Sequence, residues 1–130
     1  MLRVMNAYTY KQVISRQILK ERRLNPALRN FHLAEKLGIE PSYLSRFFSD
    51  SGVHFSDELL FLLLKSLRMD HASIDHVITL KEFERCVHPE RKLFLEEKLA
   101  ALKVNRLRQE FDRINVSLHQ TLEILNRKEL

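Results

Sequence analysis

Apolar residues recur at helical spacing along most of the chain, in segments separated by proline, glycine or short polar turns. The spacing predicts five helices of ordinary length over residues 10–24, 29–37, 41–48, 57–68 and 73–87. The fourth helix contains the apolar run Leu59–Leu64 and is expected to be the most buried element. A sixth segment, from 89 or 90 to about 127, has neither proline nor glycine inside it, so it either breaks or projects from the bundle. The fold class is therefore all-α.

The composition fits one globular domain with a helical appendage. The chain has 130 residues, of which 45% are hydrophobic and 30% are charged. With only two glycines, a phosphate-cradling loop or a dinucleotide fingerprint is excluded, and no cofactor is expected. A single cysteine, Cys86, favours a reducing compartment. Because the chain has no hydrophobic leader and no bilayer-length apolar run, we expect a cytoplasmic protein without a membrane partner.

The positive charge is concentrated at the beginning of the chain. Residues 1–50 hold nine basic and four acidic residues, so the whole net charge of +5 belongs to this part. Residues 51–130 hold equal numbers of each sign. This asymmetry favours a polyanion-facing half and a neutral half, and the alternative is a solvated basic face with no partner.

Residues 30–49 have the pattern of a helix-turn-helix. Ala34 is small where two helices would meet, and Gly38 can adopt the positive φ of a tight turn four residues later. Apolar residues suited to holding the pair together are Leu33, Leu37, Ile39, Leu44 and Phe47. The second helix begins at Pro41 and presents short polar residues on its outer side.

This segment resembles the helix-turn-helix of the Cro/repressor-like (XRE-type) superfamily. Over residues 8–100 the chain also resembles a family of bacterial regulators in which the helix-turn-helix precedes a domain of unknown function. The resemblance implies a sequence-specific transcription regulator that binds double-stranded DNA, with residues 41–49 in the major groove. The implied base contacts are Arg46, Ser42, Tyr43, Ser45 and Ser49. The implied backbone contacts are Asn30, Arg29, Lys36, Arg22, Arg23 and Lys11.

The loop after the second helix departs from the pattern of similar proteins, which usually have glycine followed by lysine or arginine there. Residues 50–54 contain Asp50 and no permanent cation, which removes an expected phosphate contact. Two alternatives follow. Residues 30–49 could be two packed helices of an interaction or adaptor module that does not bind DNA. The basic first helix could instead bind RNA, although its basic residues lack interleaved aromatic side chains for stacking.

The C-terminal segment carries a stripe of apolar residues that needs a partner. It consists of Leu107, Phe111, Ile114, Leu118, Leu122 and Leu125, with a slip of one residue near its end. An earlier stripe contains Leu95, Leu99 and Leu102. We expect residues 1–70 to form the helix-turn-helix module and residues 71–130 to form an extension that makes a homodimer. The alternative is that the later stripe folds back onto the fourth and fifth helices of the same chain.

No catalytic or metal-binding pattern emerges. Cys86 and His88 near Glu84 are too few for a metal site, and His71 and His76 lack a recognised ligand spacing. Glu96 and Glu97 are adjacent and so lie on different helix faces. We therefore expect no enzyme activity, no metal and no small-molecule ligand.

Overall fold

A computed structural model of the chain describes residues 8–49 and 52–129. It contains α1 (Tyr10–Leu24), α2 (Asn30–Leu37), α3 (Pro41–Phe48), α4 (Asp57–Ser66), α5 (His71–Arg85) and α6 (Pro89–Glu129). The described residues contain no strand, so the all-α prediction is confirmed.

The helix boundaries agree with the sequence prediction for two helices and differ at the start of α5, where an N-cap residue decides the boundary. The predicted bounds of α1 and α3 are confirmed. The predicted start of α5 at Ser73 is wrong, because the helix begins at His71. Its N-cap is Asp70, whose carboxylate accepts a hydrogen bond of 2.8 Å from the Ser73 amide. The sequence prediction placed residues 69–72 in a turn, whereas Asp70 caps a helix that already includes His71 and Ala72.

One core joins the first five helices. α5 packs against α1 and α4, while α2 packs against α3 and α4. The predicted burial of α4 holds for only one of its faces, since Leu60, Leu63 and Leu64 are fully buried. Phe61 and Leu62 are 38% and 47% exposed, because the neighbouring helices cover one side of this short element.

The turn between α2 and α3 has the geometry that its glycine predicts. Gly38 adopts φ 69°, and its amide donates to the carbonyl of Glu35 at 3.2 Å. The Ile39 amide then donates back to the carbonyl of Ala34 at 3.0 Å. These bonds satisfy the last carbonyls of α2 and turn the chain directly into α3.

The end of α4 repeats this motif with arginine in place of glycine. Arg68 adopts φ 61°, and it is the one non-glycine residue with positive φ among residues 8–49 and 52–129. Its amide donates to Lys65, and the Met69 amide donates to the carbonyl of Leu64. Only glycine adopts this backbone conformation without a steric penalty, so α4 ends in a strained residue.

Substitutions at Gly38 and Arg68 are predicted to change the free energy of unfolding in opposite directions. Gly38→Ala should lower the free energy of unfolding by about 1–2 kcal/mol, because alanine is strained at the positive φ of this position. Since a Cβ at this position would meet no atom within 4 Å, that cost is purely conformational. Arg68→Gly should raise the free energy of unfolding by up to about 1 kcal/mol. Urea unfolding at a fixed protein concentration measures both changes, and shifts of the same sign would contradict this account.

α6 is one unbroken helix that extends well beyond the core. At 1.5 Å per residue it is about 60 Å long. Leu95 and Leu99 are buried, and this first part of α6 packs on α5. From Lys103 to Lys128 every residue is exposed, so the C-terminal part of α6 projects from the bundle. In the described part of the chain, none of the helices has both the length and the apolar character needed to span a bilayer.

Candidate nucleic-acid interface

The outer face of α3 carries the predicted base-contacting residues. Ser42, Ser45, Arg46 and Ser49 are all exposed. The fifth, Tyr43, is half-buried and packs against the core, with its ring centroid 5.2 Å from that of Phe55. The structure therefore brings four of the five predicted side chains to the surface and leaves Tyr43 at its edge.

The inner face of α3 fixes the helix firmly to the core. Leu44 and Phe47 are fully buried. The Phe47 ring stacks on Phe55 with centroids 4.1 Å apart, and its edge meets Tyr10 at 6.1 Å. Aromatic pairs of this kind contribute about 0.5–1.5 kcal/mol beyond their buried area. The exposed serines and Arg46 are therefore presented on a rigid support.

The two ends of α3 differ in charge. Glu40 is the N-cap residue and is exposed, without a side-chain hydrogen bond to the helix. At the other end the Ser49 hydroxyl donates to the carbonyl of Arg46 at 2.9 Å. A carboxylate repels phosphate, so we expect the middle and C-terminal part of α3 to approach a polyanion most closely. Glu40 was not among the residues singled out from the sequence.

Lys11 is bound within the fold, although the sequence analysis predicted a DNA-backbone contact for it. Its Nζ donates to the carbonyl of Val53 at 2.5 Å and lies 4.6 Å from the centroid of the Phe47 ring. A second lysine, Lys81 of α5, donates to the carbonyl of Phe55 at 2.7 Å and pairs with Asp57 at 2.9 Å. Together the two ammonium groups hold the backbone of the loop that follows α3. We call this arrangement the lysine clamp.

The predicted loop 50–54 lies only partly within the described structure. Asp50 and Ser51 are outside the described residues. Of the remainder, Gly52 adopts φ 82°, and His54 shares a hydrogen bond of 2.5 Å with the Tyr10 hydroxyl. Burial raises the pKa of Tyr10 to about 12, so this hydroxyl keeps its proton at physiological pH.

Burial and nearby positive charges both favour the neutral form of His54. Burial lowers the pKa of His54, and the nearby cations Arg85, Lys11 and Lys81 lower it further. His76 on α5 behaves similarly, because burial and the charge of Arg106 lower its pKa. In the unfolded chain both imidazoles would titrate near their usual value of about 6.5.

This difference predicts a loss of stability in mild acid. Below about pH 6.5 the unfolded chain binds protons that the folded imidazoles do not yet bind, so the free energy of unfolding should fall as the pH falls from about 7.5 to 5.5. Urea unfolding across this window measures the slope. His54→Gln and His76→Gln should each flatten it. If the slope were unchanged in both the His54 and the His76 variant, these two imidazoles would not be the cause of the pH dependence.

Three predicted backbone contacts meet at the junction of α1 and α2. Arg22 donates through Nη2 to the side-chain oxygen of Asn30 at 2.8 Å and through Nε to the carbonyl of Leu28 at 3.0 Å. With Arg29 these residues line a surface depression of about 340 Å³. Arg29 is the N-cap of α2 and makes no side-chain cap, so two cations lie beside the start of this helix. We call this depression the junction cleft.

The two other predicted backbone contacts lie outside the junction cleft. Arg23, in the last turn of α1, is exposed. Lys36, in the last turn of α2, is exposed as well. The six predicted residues therefore divide into three at the junction cleft, two separate surface cations and Lys11 in the lysine clamp.

The predicted dimer stripe is exposed along its whole length. Its side chains range from 51% exposed at Leu122 to 63% exposed at Phe111, and the other members are Leu107, Ile114, Leu118 and Leu125. The stripe therefore does not fold back onto α4 and α5 of the same chain, which was the alternative to a dimer contact.

The stripe lies on a different side of α6 from the residues that pack on α5. Phe111 follows Leu99 by twelve residues, about three and a third turns, so the stripe is rotated by about a third of a turn from the face that packs on α5. Leu93 and Val104, which the sequence analysis missed, are 61% and 52% exposed and lie on the same side as Phe111. Extending the spacing back from Leu107 would have found them. The stripe therefore starts close to the beginning of α6.

The histidine, cysteine and acidic residues considered above as metal ligands do not form a metal-binding group among the described residues. Among the described residues no group of three or more His, Cys, Asp or Glu side chains could hold a metal ion. Cys86 is buried and unpaired, and its thiol lies 3.5 Å from the carbonyl of His88.

Comparison with known proteins found no match to a protein-family model, a curated protein or a solved structure.

Proposed function

We propose that this protein is a sequence-specific DNA-binding transcription regulator that acts as a homodimer in the cytoplasm. The observation that carries the proposal is the outer face of α3. Ser42, Ser45 and Arg46 stand exposed on a helix whose inner side is buried, directly after the tight turn at Gly38. A rigid helix with short polar side chains and one guanidinium is suited to the major groove, where arginine can bind guanine through two hydrogen bonds. The sequence resemblance to the XRE-type superfamily supports the same proposal.

The junction cleft would supply contacts to the phosphate backbone. Arg22 and Arg29 place two guanidinium groups beside the start of α2, whose first amides have no side-chain cap. Guanidinium groups and free helix amides both favour phosphate oxygens. Such contacts fix the position of a protein on the duplex without selecting its sequence. In this proposal α3 selects the sequence and the junction cleft sets the register.

The exposed stripe on α6 would supply the dimer contact. A projecting helix with a continuous exposed apolar stripe would lose solubility unless that stripe were covered. A second copy offers an identical stripe, and a two-fold pair would present two copies of α3 to two half-sites.

The decisive experiment selects bound duplexes from a random pool and then measures their affinity by fluorescence anisotropy. We expect an enriched motif with two related half-sites. Its affinity should fall by a factor of about 10³ or more between 50 and 200 mM salt if six or more phosphates are contacted. The control is a shuffled duplex, which should bind more weakly but with a similar salt dependence. An empty selection by a chain that keeps its helical circular dichroism would contradict the proposal.

Two observations favour a second candidate function, an interaction module without DNA binding. Glu40 places an exposed negative charge at the start of α3, and Lys11 is taken up by the lysine clamp. The carboxylate of Glu40 lowers the positive potential around α3, and the hydrogen bond to Val53 leaves the ammonium group of Lys11 less available to a phosphate. An absence of duplex binding at low salt, combined with an intact fold and an intact dimer, would favour this candidate.

A further inference from the structure

A second group of positive charges lies on the side of α1 that faces away from α3. Lys11 and Lys20 are nine residues apart, about two and a half turns, so their side chains leave α1 in opposite directions. Lys11 reaches the loop after α3, whereas Lys20 lines a cavity of about 300 Å³. The cations of α1 therefore serve two separate surfaces.

This cavity lies between α1, α5 and α6, and three elements each contribute a cation to it. Lys20 comes from α1, Arg68 follows α4, and Arg106 comes from α6 near the point where this helix leaves the bundle. Uncharged hydrogen-bonding side chains also line the cavity, namely Gln17 and Ser73. We call it the α1–α6 cavity. Its cations converge from parts of the chain that are far apart in sequence, which distinguishes it from a row of charges on one helix.

The acidic groups nearby are already engaged. Asp70 lies in the wall of the cavity, and its carboxylate accepts the Ser73 amide at 2.8 Å as the cap of α5. Glu21 lies 3.4 Å from Arg68, whose side chain is still 71% exposed. Three cations and one carboxylate line the cavity, so the lining residues have a net charge of +2. Outside the lining, Glu21 offsets part of the charge of Arg68, and Asp75 acts on His76 in the opposite direction to Arg106 and Lys103.

The pKa of His76 responds to the positive charges at the α1–α6 cavity, so this side chain can report on an anion bound there. It lines the cavity, and its Nδ1 atom is buried without a hydrogen-bond partner. After burial itself, the positive charges of Arg106 and Lys103 are the causes that lower the pKa of His76. An anion bound beside Arg106 would offset this field and make protonation of the imidazole easier.

We propose that the α1–α6 cavity binds a small phosphate-bearing anion. Lysine and arginine are the side chains that recognise phosphate, and guanidinium groups do so through paired hydrogen bonds. The volume lies at the lower end of the range for ligand pockets, which suits a compact anion better than a large ligand. Since Lys20 belongs to α1 and Arg106 to α6, the anion would tie the projecting helix to the helix-turn-helix part. This site does not depend on whether the chain binds DNA.

The test uses inorganic pyrophosphate as the probe on the full chain in the absence of DNA. Pyrophosphate is titrated at constant ionic strength, with sodium chloride as the balancing salt, while the imidazole signals are followed by NMR. We expect a saturable shift of the His76 signal and a raised pKa of His76 in the bound state. Lys20→Gln and Arg106→Gln should each weaken binding by about tenfold or more. Arg16→Gln removes the same charge from α1 outside the cavity and should leave binding unchanged.

Two results would overturn the site. One is the absence of a saturable shift up to about 10 mM pyrophosphate. The other is binding that Arg106→Gln leaves unchanged or that Arg16→Gln weakens equally, since either result means that general surface charge is responsible. Because the titration contains no DNA, its failure leaves the proposed function untouched.

Discussion

The double variant Phe111→Glu/Leu118→Glu is expected to have a solution mass of 15.5 kDa, half that of the homodimer that we propose for the native protein. The two residues are 63% and 58% exposed in the single chain, so the new carboxylates cause no clash within it. In a dimer they would bring like charges together in a desolvated seam, which costs several kcal/mol. Sedimentation equilibrium or light scattering measures the mass directly.

The matched control for this variant adds the same charge on the other side of α6. Asn105→Glu/Gln120→Glu places two carboxylates on exposed positions that point away from the stripe. This control should keep the native mass. A native protein that is already 15.5 kDa, or equal masses for both variants, would contradict the dimer proposal.

The same pair of variants should also differ in helix content. From Lys103 to Lys128 every residue of α6 is exposed, so in a monomer little besides helix propensity holds this part of the helix together. Isolated helices are marginal in water. We therefore expect the stripe variant to lose circular dichroism at 222 nm, with the control close to the native value.

Arg46→Ala is expected to weaken binding to the selected DNA site by about 10- to 100-fold, since one bidentate arginine–guanine pair contributes about 1–3 kcal/mol of discrimination. Affinity for a shuffled duplex should change much less. The variant would therefore lose sequence preference while keeping its general attraction to DNA. Anisotropy titrations with both duplexes at one salt concentration give the ratio of the two affinities.

Lys36→Ala is the matched control for Arg46→Ala. It removes one exposed positive charge from α2 and should weaken binding to both duplexes by a similar, smaller factor. If the two variants affected the two duplexes in the same way, Arg46 would act as a phosphate contact and the assignment of base contacts would be wrong.

The sequence predicted the helices well because apolar spacing and end signals agreed. In α1, Tyr10, Ile14 and Ile18 are buried as their spacing indicates. In the turn before α3, the positive φ of Gly38 was predictable from its place after an apolar helix. These features depend on residues within one or two turns of each other, so a single sequence contains the relevant information.

The partners of charged side chains could not be predicted in this way. Lys11 looked like a surface cation, but it donates to Val53, forty-two positions away in the chain. Lys81 has no sequence signature for its bond to Phe55. A lysine stem can lie along apolar surface while its ammonium group reaches a distant carbonyl, so tertiary packing decides whether the charge faces solvent or protein. Which cations are available to a phosphate therefore depends on tertiary packing, which spacing along the chain does not encode.

The spacing of the α6 stripe has a consequence for the shape of a dimer. From Leu107 to Leu125 is eighteen residues, about five turns of an ideal α-helix, so the stripe runs parallel to the helix axis. A strict seven-residue repeat would wind around the helix and impose a left-handed supercoil. Two copies of this stripe are instead suited to pairing as nearly straight rods.

The lysine clamp would couple the position of α6 to the position of α3. α6 packs on α5, and Lys81 of α5 holds the backbone at Phe55, which stacks on Phe47 beneath Arg46. The path from the rod to the outer face of α3 thus consists of packed or hydrogen-bonded contacts, with no flexible tether in it. In a dimer, the angle at which the two rods cross would set the distance between the two copies of α3, and with it the spacing of the half-sites that the pair can reach at once.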